Sequence, residues 1–289
     1  LTGGSGHDHV ELGNRGNTTT VSGLEVLLGG VNTDVVTLGP GGARLIAAAL
    51  ETVTGGSGLD YVALGNRGNT TVVAGLETLL GGVNTDVVTL ATGAGSLQLS
   101  GVETLSGGAD ADIVSILSGA TRFIGGGGGD VLQLSGDAAA DEVVFNAATD
   151  GSSAGVAAGY DRISSFQSGV DQVVIGGLLR STVDKGGSSA DNVVNIAVLG
   201  AGAMQMGTNE AVFLSSKATS LTDAGFAGFL QALGTVQGVA DASALVVASD
   251  GVDSGLYLVQ TSGTGAVSAA DVRMLGLFSN ATLGVGDIR

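Results

Sequence analysis

The sequence predicts an all-β fold. It is a parallel β-roll or β-helix solenoid with coils of about 26 residues, followed by a β-rich C-terminal cap domain with one or two helices. Three observations predict it. A glycine-rich loop ending in aspartate recurs six times, as GGSGHD (3–8), GGVNTD (29–34), GGSGLD (55–60), GGVNTD (81–86), GGADAD (107–112) and GGGGGD (125–130). The first five copies start 26 residues apart and the last follows after 18. Between the loops, apolar residues alternate with polar ones, which is the period of a strand with one buried face.

Composition agrees. Of 289 residues 53 are Gly and one is Pro, with no triplet period, so a collagen helix is excluded. Hydrophobic residues make up 44% but aromatics only 3%, so Val, Leu and Ala between glycine turns must build a thin, repetitive core. The net charge of −17 disfavours nucleic acid and anionic lipid and favours cations. Without cysteine the chain has no disulfide, thiolate metal site or thiol nucleophile. No apolar run is long enough for a transmembrane helix. The chain starts inside a repeat and has no cleavable leader pattern, which suggests a piece of something longer.

The elements follow in order. Two residues after each loop aspartate stands Val10, Val36, Val62, Val88 or Val114, and four after it Leu12, Leu38, Leu64, Leu90 or Ile116. A second alternating stretch holds Thr19/Val21, Leu45/Ala47, Thr71/Val73 and Leu97/Leu99. A third holds Leu24/Leu27, Leu50/Val53, Leu76/Leu79 and Val102/Leu105. Each repeat thus offers three short strands, read as one coil, with equivalent residues stacked about 4.8 Å apart.

In that reading Asp8, Asp34, Asp60, Asp86 and Asp112 share one row along one flank. Bare carboxylates at that spacing repel by roughly 0.9 kcal/mol in water. Ca²⁺, which takes six to eight hard oxygens, is the natural cation between them. The predicted metal-binding residues are Gly3, Gly4, Gly6 and Asp8; Gly29, Gly30, Asn32 and Asp34; Gly55, Gly56, Gly58 and Asp60; Gly81, Gly82, Asn84 and Asp86; Gly107, Gly108, Asp110 and Asp112; and Gly125, Gly126, Gly128 and Asp130. The fourth loop position is always Gly, Asn or Asp, the residues that best tolerate positive φ. GNRGN (13–17), GPGG (39–42), GNRGN (65–69) and TGAGS (92–96) carry no carboxylate and are read as plain flanks. Glu25, Glu51, Glu77 and Glu103 form a second row, read as solvated and partly paired with Arg15, Arg44 or Arg67. His7 and His9 alternate across a strand and are replaced by Leu59 and Tyr61 in the next copy, which argues against a metal role.

The loops 3–8, 55–60 and 125–130 match the G-G-x-G-x-D pattern of RTX proteins, calcium-binding bacterial proteins exported by type I secretion, and the other three depart at the fourth position. The segment YDRISSFQSGVDQVVIGGL (160–178), with Asp161, Phe166, Gly169 and Asp171, is similar to the segment that closes RTX arrays. Residues 244–288 resemble RTX C-terminal regions: strand, DG turn, strand, Gly turn, short helix, strand. The resemblance, most like surface-layer or adhesive members, implies a calcium-binding roll over 1–135 and a cap and secretion-related β domain over 136–289.

It also implies a secreted or cell-surface location, contact with the type I secretion machinery, and self-association into a layer or filament. SLTDAGFAGFLQALGTV (220–236) reads as a helix capped by Ser220 or Thr222, with Phe226, Phe229, Leu230 and Leu233 on one face. No HExxH, GxSxG or Walker motif is present, so a non-enzymatic, calcium-loaded structural protein is expected. The alternatives are the folding and export tail of a secreted protease or lipase, and an adhesin stalk or ice-binding face prompted by Thr18–Thr20 and Thr70–Thr71.

Overall fold

The computed structural model describes residues 1–93, 95–153, 159–184 and 194–289. Residue 94, inside the expected plain turn 92–96, lies outside them. The chain forms two compact units, residues 1–124 with 137–141, and residues 125–136 with 142–289.

The first unit is a parallel β-solenoid of two facing sheets. One sheet runs β1 (His9–Glu11), β3 (Val26–Leu28), β5 (Arg44–Ala48), β7 (Tyr61–Leu64), β9 (Thr78–Leu80), β11 (Ser96–Ser100) and β13 (Ile113–Ser118). The other runs β2 (Thr18–Val21), β4 (Val35–Leu38), β6 (Thr52–Thr54), β8 (Thr70–Ala74), β10 (Val87–Leu90), β12 (Thr104–Gly108) and β14 (Arg122–Gly126). Odd strands therefore go to one sheet and even strands to the other. The alternation buries the expected residues, with Val36, Val62 and Val88 fully inside and Leu38, Leu64 and Leu90 at most 9% exposed. Leu27, Leu79, Leu99 and Leu105 fill the space between the sheets.

The solenoid is as predicted, but its coil is not. A coil contains two strands and about 18 residues. Val35 pairs with Thr18 in the coil before and with Thr52 in the coil after. The 26-residue repeat does carry three strands, yet these make one and a half coils. The reason is closure: with two facing sheets the chain returns to its starting sheet only after an even number of strands. Two consequences follow. Identical loops alternate between the two flanks, and the pattern on either flank recurs every third coil.

The left-handed backbone also lies elsewhere than predicted. Among the fourth loop positions only Gly128 has positive φ. Gly23, Gly75 and Gly101, in the carboxylate turns before Glu25, Glu77 and Glu103, have φ of 62°, 59° and 63°, and Ala49 takes the same conformation at 53°. An L-residue there costs about 1–2 kcal/mol.

The second unit pairs β15 (Val131–Gln133) with β18 (Asp161–Ser164), and β16 (Glu142–Phe145) with β19 (Gln172–Ile175), both parallel. Its first sheet continues through β24 (Val272–Ser279), to which β17 (Ser152–Ser153) pairs antiparallel, then β23 (Ser254–Thr261), β22 (Ala242–Ser249), β21 (Ala211–Leu214) and β20 (Ile196–Leu199). The antiparallel strands β22, β23 and β24, with turns between them and one 3₁₀ turn at Ala269–Asp271, follow the expected C-terminal order.

The segment 220–236 gives a shorter helix than predicted, Ala227–Leu233, after a 3₁₀ turn at Ala224–Phe226. A left-handed Phe226 (φ 52°) breaks it, so neither Ser220 nor Thr222 caps it; Asp223 faces the Gly228 N–H instead. Phe226, Phe229 and Leu233 are buried as expected, and Phe229 stacks on Tyr257 at 4.0 Å. A second short helix spans Gly177–Val183. No helix among the described residues is long and apolar enough to cross a membrane.

Ala49→Gly should stabilise the protein by about 0.5–1 kcal/mol, because it relieves the one non-glycine left-handed corner of its kind. Urea melts of the two proteins measure the difference, and an unchanged or lower midpoint would contradict the strain.

Candidate functional site: the carboxylate corners

Where a coil turns from one sheet to the other, the first N–H of the incoming strand has passed its turn and needs an acceptor. At the asparagine and aspartate corners a side chain from the next coil supplies it, and at Glu25, Glu51 and Glu77 the carbonyl of Asp8, Asp34 or Asp60 does. On one flank the residues before successive strands are Asn17, Asp34, Glu51, Asn69, Asp86 and Glu103. The N–H of Asn17 donates to Asp34 Oδ1 at 2.9 Å and that of Asn69 to Asp86 Oδ1 at 2.8 Å. The N–H of Asp34 donates to Glu51 Oε2 at 2.6 Å and that of Asp86 to Glu103 Oε2 at 2.7 Å. The other flank repeats the scheme: Asp8 N–H reaches Glu25 Oε2 at 2.7 Å and Asp60 N–H reaches Glu77 Oε2 at 2.6 Å. The glutamates are thus corner acceptors; Glu77 and Glu103 are exposed as expected, and no ion pair among the described residues joins the row to Arg15, Arg44 or Arg67.

Each loop aspartate also closes its own loop. The N–H groups of Gly4, Gly30, Gly56 and Gly82 donate to Oδ2 of Asp8, Asp34, Asp60 and Asp86 at 2.6–2.7 Å. The first glycine of each loop is required by close approach. A Cβ on Gly3, Gly29, Gly55 or Gly81 would sit 1.6–1.8 Å from the carbonyl oxygen of Gly23, Ala49, Gly75 or Gly101. At the fourth position Asn32 and Asn84 donate from Nδ2 to the carbonyls of Asn14 and Asn66 at 2.6 and 2.7 Å. A Cβ on Gly58 would meet Gly42 N at 2.2 Å, whereas Gly6 has open space around it.

The last two copies are built differently. Gly107 and Gly108 end strand β12, and Gly125 and Gly126 end β14. Asp110 accepts the Gly93 N–H at 2.7 Å and Asp112 the Gly95 N–H at 3.2 Å. Burial, with the Asp110 charge adding to it, raises the Asp112 carboxyl above the ordinary range. Asp130, in the second unit, donates its N–H to Asp161 Oδ1 at 3.0 Å.

The single row of loop aspartates is therefore not formed. Asp8, Asp60 and Asp112 precede strands of the odd sheet, Asp34 and Asp86 precede strands of the even sheet, and on each flank an aspartate is followed by a glutamate in the next coil. The plain and acidic flanks expected are mixed for the same reason.

Whether these carboxylates suit Ca²⁺ depends on the groups that face them. Asp34 Oδ1 takes two donors from Asn17, its N–H and its Nδ2, and Oδ2 takes the Gly30 N–H. Asp86 is held identically by Asn69 and Gly82. N–H groups converging on both oxygens suit an anion held by the backbone and leave little lone-pair capacity for a cation. That donor set holds at Asp34 and Asp86; at Asp8 and Asp60 the only described donor is the N–H of Gly4 or Gly56. Asp60 differs: Ala43 stands where Asn17 and Asn69 stand on the other flank, and its buried Oδ1 has no hydrogen-bond partner.

Sequence reasoning missed the asparagines and glutamates as partners. The signal was present, because Asn17, Asp34 and Glu51 are each 17 residues apart, as are Asn69, Asp86 and Glu103. The segment 160–178 forms another corner of this type in the second unit. Asp171 Oδ2 accepts the Gln167 N–H at 2.8 Å, Gly169 (φ 82°) donates to Asp287, and Phe166 packs edge-on against Phe278. No protein-family model matches the chain, and no curated protein matches it.

Removing Asp86 strands three donors, two of them buried, and a stranded buried donor costs about 1–3 kcal/mol. Asp86→Ala should destabilise the protein by about 3–5 kcal/mol, and Asp8→Ala, which loses one bond at an exposed loop, by about 1 kcal/mol or less. Denaturant titration of the pair checks the ranking; equal losses would remove the corner argument.

Asp161 gives a pH test. Burial first, then the Asp130 charge, holds its carboxyl well above the ordinary value of 3.8, against the hydrogen bond from Asp130 N–H. Stability from the protonated form is complete below the unfolded value and is lost as pH rises through the folded one. Asp161→Asn keeps an acceptor oxygen and cannot ionise. It should raise Tm at pH 7 by about 3 °C or more, with the gain shrinking toward pH 4. A gain that is constant from pH 4 to 8 would contradict this assignment.

Proposed function

We propose that the chain is a structural element, a self-supporting β-solenoid that contributes a rigid body to an assembly of many copies. The observation that supports it is the corner ladder. In the first unit, coil after coil is tied to the next on both flanks by side-chain acceptors, in addition to the strand ladders. A solenoid built this way resists shear between coils along its whole length, which is what a rod, spacer or lattice member needs. The first loop glycines and the carboxylates of Asp34 and Asp86, among the most conspicuous residues of the sequence, serve that construction.

An extracellular or cell-surface location, type I export and Ca²⁺ at loops other than those of Asp34 and Asp86 are supported only by the resemblance of the loops and of the closing segment to RTX proteins. They belong to this proposal in that capacity. The readings as an export tail or an adhesin stalk have the same support.

Electron microscopy of the concentrated protein tests the reading. Ordered rods, sheets or lateral arrays are expected. Dispersed single particles at every concentration would contradict a structural assembly.

A further inference from the structure

We propose that a groove beside the odd sheet, around Arg44 and Tyr61, binds a sugar acid, a hydroxylated ring that carries one carboxylate. The proposal does not depend on the assembly reading above. The groove has a volume of about 670 Å³, within the range of pockets that hold small ligands. His7, Leu24, Glu25, Arg44, Ile46 and Tyr61 line it.

Arg44 and Tyr61 are register partners on β5 and β7, and the guanidinium carbon lies 4.7 Å from the ring centroid. The stack fixes the guanidinium plane and leaves its N–H edge for a planar anion. No carboxylate among the described residues pairs with Arg44, although acidic residues outnumber Lys and Arg by 27 to 10. Arg15 and Arg67 also lack such a partner, but they are exposed on turns and line neither this groove nor its repeat. Glu25 is anchored, because its Oε2 accepts the Asp8 N–H at 2.7 Å and stands 3.7 Å from His7 Nδ1. Its Oε1 takes no hydrogen bond among the described residues and is open to a hydroxyl. Ile46, 48% exposed, adds an apolar wall. One cationic fork, one fixed acceptor and one apolar wall match the carboxylate, the hydroxyls and the C–H face of a sugar acid.

The repeat provides a comparison within the chain. The groove is rebuilt 52 residues later, with Gly75, Leu76, Glu77 and Leu97 where the first has Gly23, Leu24, Glu25 and Leu45. There Leu59, Ser96 and Gln98 replace His7, Arg44 and Ile46, and Ile113 stands at the position of Tyr61. The coil is therefore built equally well without the guanidinium, the imidazole and the ring, and their presence in the first groove is free to serve a ligand. Strands β3, β5 and β7 are each paired on both sides, so a ligand finds no backbone edge and is held by side chains. That favours a hydroxylated ring over an extended peptide, which joins a sheet at its edge. The net charge of −17 disfavours a polymer with a phosphate on every unit. Tyr61 borders both grooves, which lie three coils or about 14 Å apart, so a longer saccharide reaches from one to the other.

NMR titration of the whole ¹⁵N-labelled chain with glucuronate, glucose and acetate tests this. Glucuronate should shift the amides of Glu25, Arg44, Ile46 and Tyr61 and bind at least about tenfold more tightly than glucose or acetate. Arg44→Ser, which copies the second groove, should weaken glucuronate at least about tenfold, and Arg15→Ser, with the same loss of charge, should not. An oligosaccharide in which glucuronate alternates with a neutral sugar separates the two sources of the ligand. Added shifts at Ser96 and Gln98 assign the groove to a polysaccharide, and shifts confined to the first groove assign it to a free sugar acid. Acetate that binds as tightly as glucuronate shows an adventitious ion only. That result, equal losses in the two arginine variants, or no shift in the groove would overturn the proposal and leave the structural reading standing.

Discussion

The first unit depends on one constraint: a backbone N–H that enters a new strand at a coil corner must find an acceptor, and only at Glu25, Glu51 and Glu77 does a carbonyl of the preceding coil, that of Asp8, Asp34 or Asp60, provide it. At the other corners the chain meets the constraint with carboxylates and amides taken from the adjacent coil. Asp34, Asp60 and Asp86 are at most 1% exposed, and a buried charge is tolerated only when hydrogen-bonded. At Asp34 and Asp86 three donors hold the charge, and at Glu51 and Glu103 one strong bond of 2.6–2.7 Å does. The glycines follow from the same geometry. The aspartate can reach the N–H behind it only if the loop lies flat against the next coil, and there is then no space for a Cβ at the first position.

Much of this architecture was legible in the sequence. Alternating Val and Leu after each loop gave the strands and their buried faces, and the repeat gave a parallel stack. The coil length was not legible from the 26-residue period alone, because one coil of three strands and one and a half coils of two strands have the same period. The final 18-residue step and the 17-residue spacing of Asn17, Asp34 and Glu51 point to the shorter coil. The same ambiguity hid the threonines of the even sheet, since Thr18 and Thr70 look sporadic until Thr37, Thr52, Thr54 and Thr89 are placed beside them.

The loop aspartates were read by composition, and composition does not say which partner a carboxylate has. A loop with two glycines and an aspartate can hold a cation through its oxygens, or close on its own N–H groups. The hydrogen bonds at Asp34 and Asp86 favour the second. The left-handed position was misplaced for a related reason: a tight turn needs positive φ somewhere, and here it falls in the short turns before Glu25, Glu77 and Glu103. In the second unit, the DG turn, the Gly turn and the buried phenylalanines were legible because each is a local signal. The break at Phe226 was not, because a left-handed phenylalanine is set by packing against Tyr257 and has no local marker.

The most direct test of the corner ladder is amide hydrogen exchange, resolved by residue, with EGTA and again with millimolar Ca²⁺. The N–H groups of Gly30, Gly82, Asn17, Asn69, Asp34 and Asp86 are the ones the side chains hold. They should be protected in EGTA as strongly as the neighbouring strand amides of β4 and β10, with no change on adding calcium. Free exchange of these amides in EGTA, with protection appearing only when calcium is added, would show that a metal and not the carboxylate ladder holds the corners.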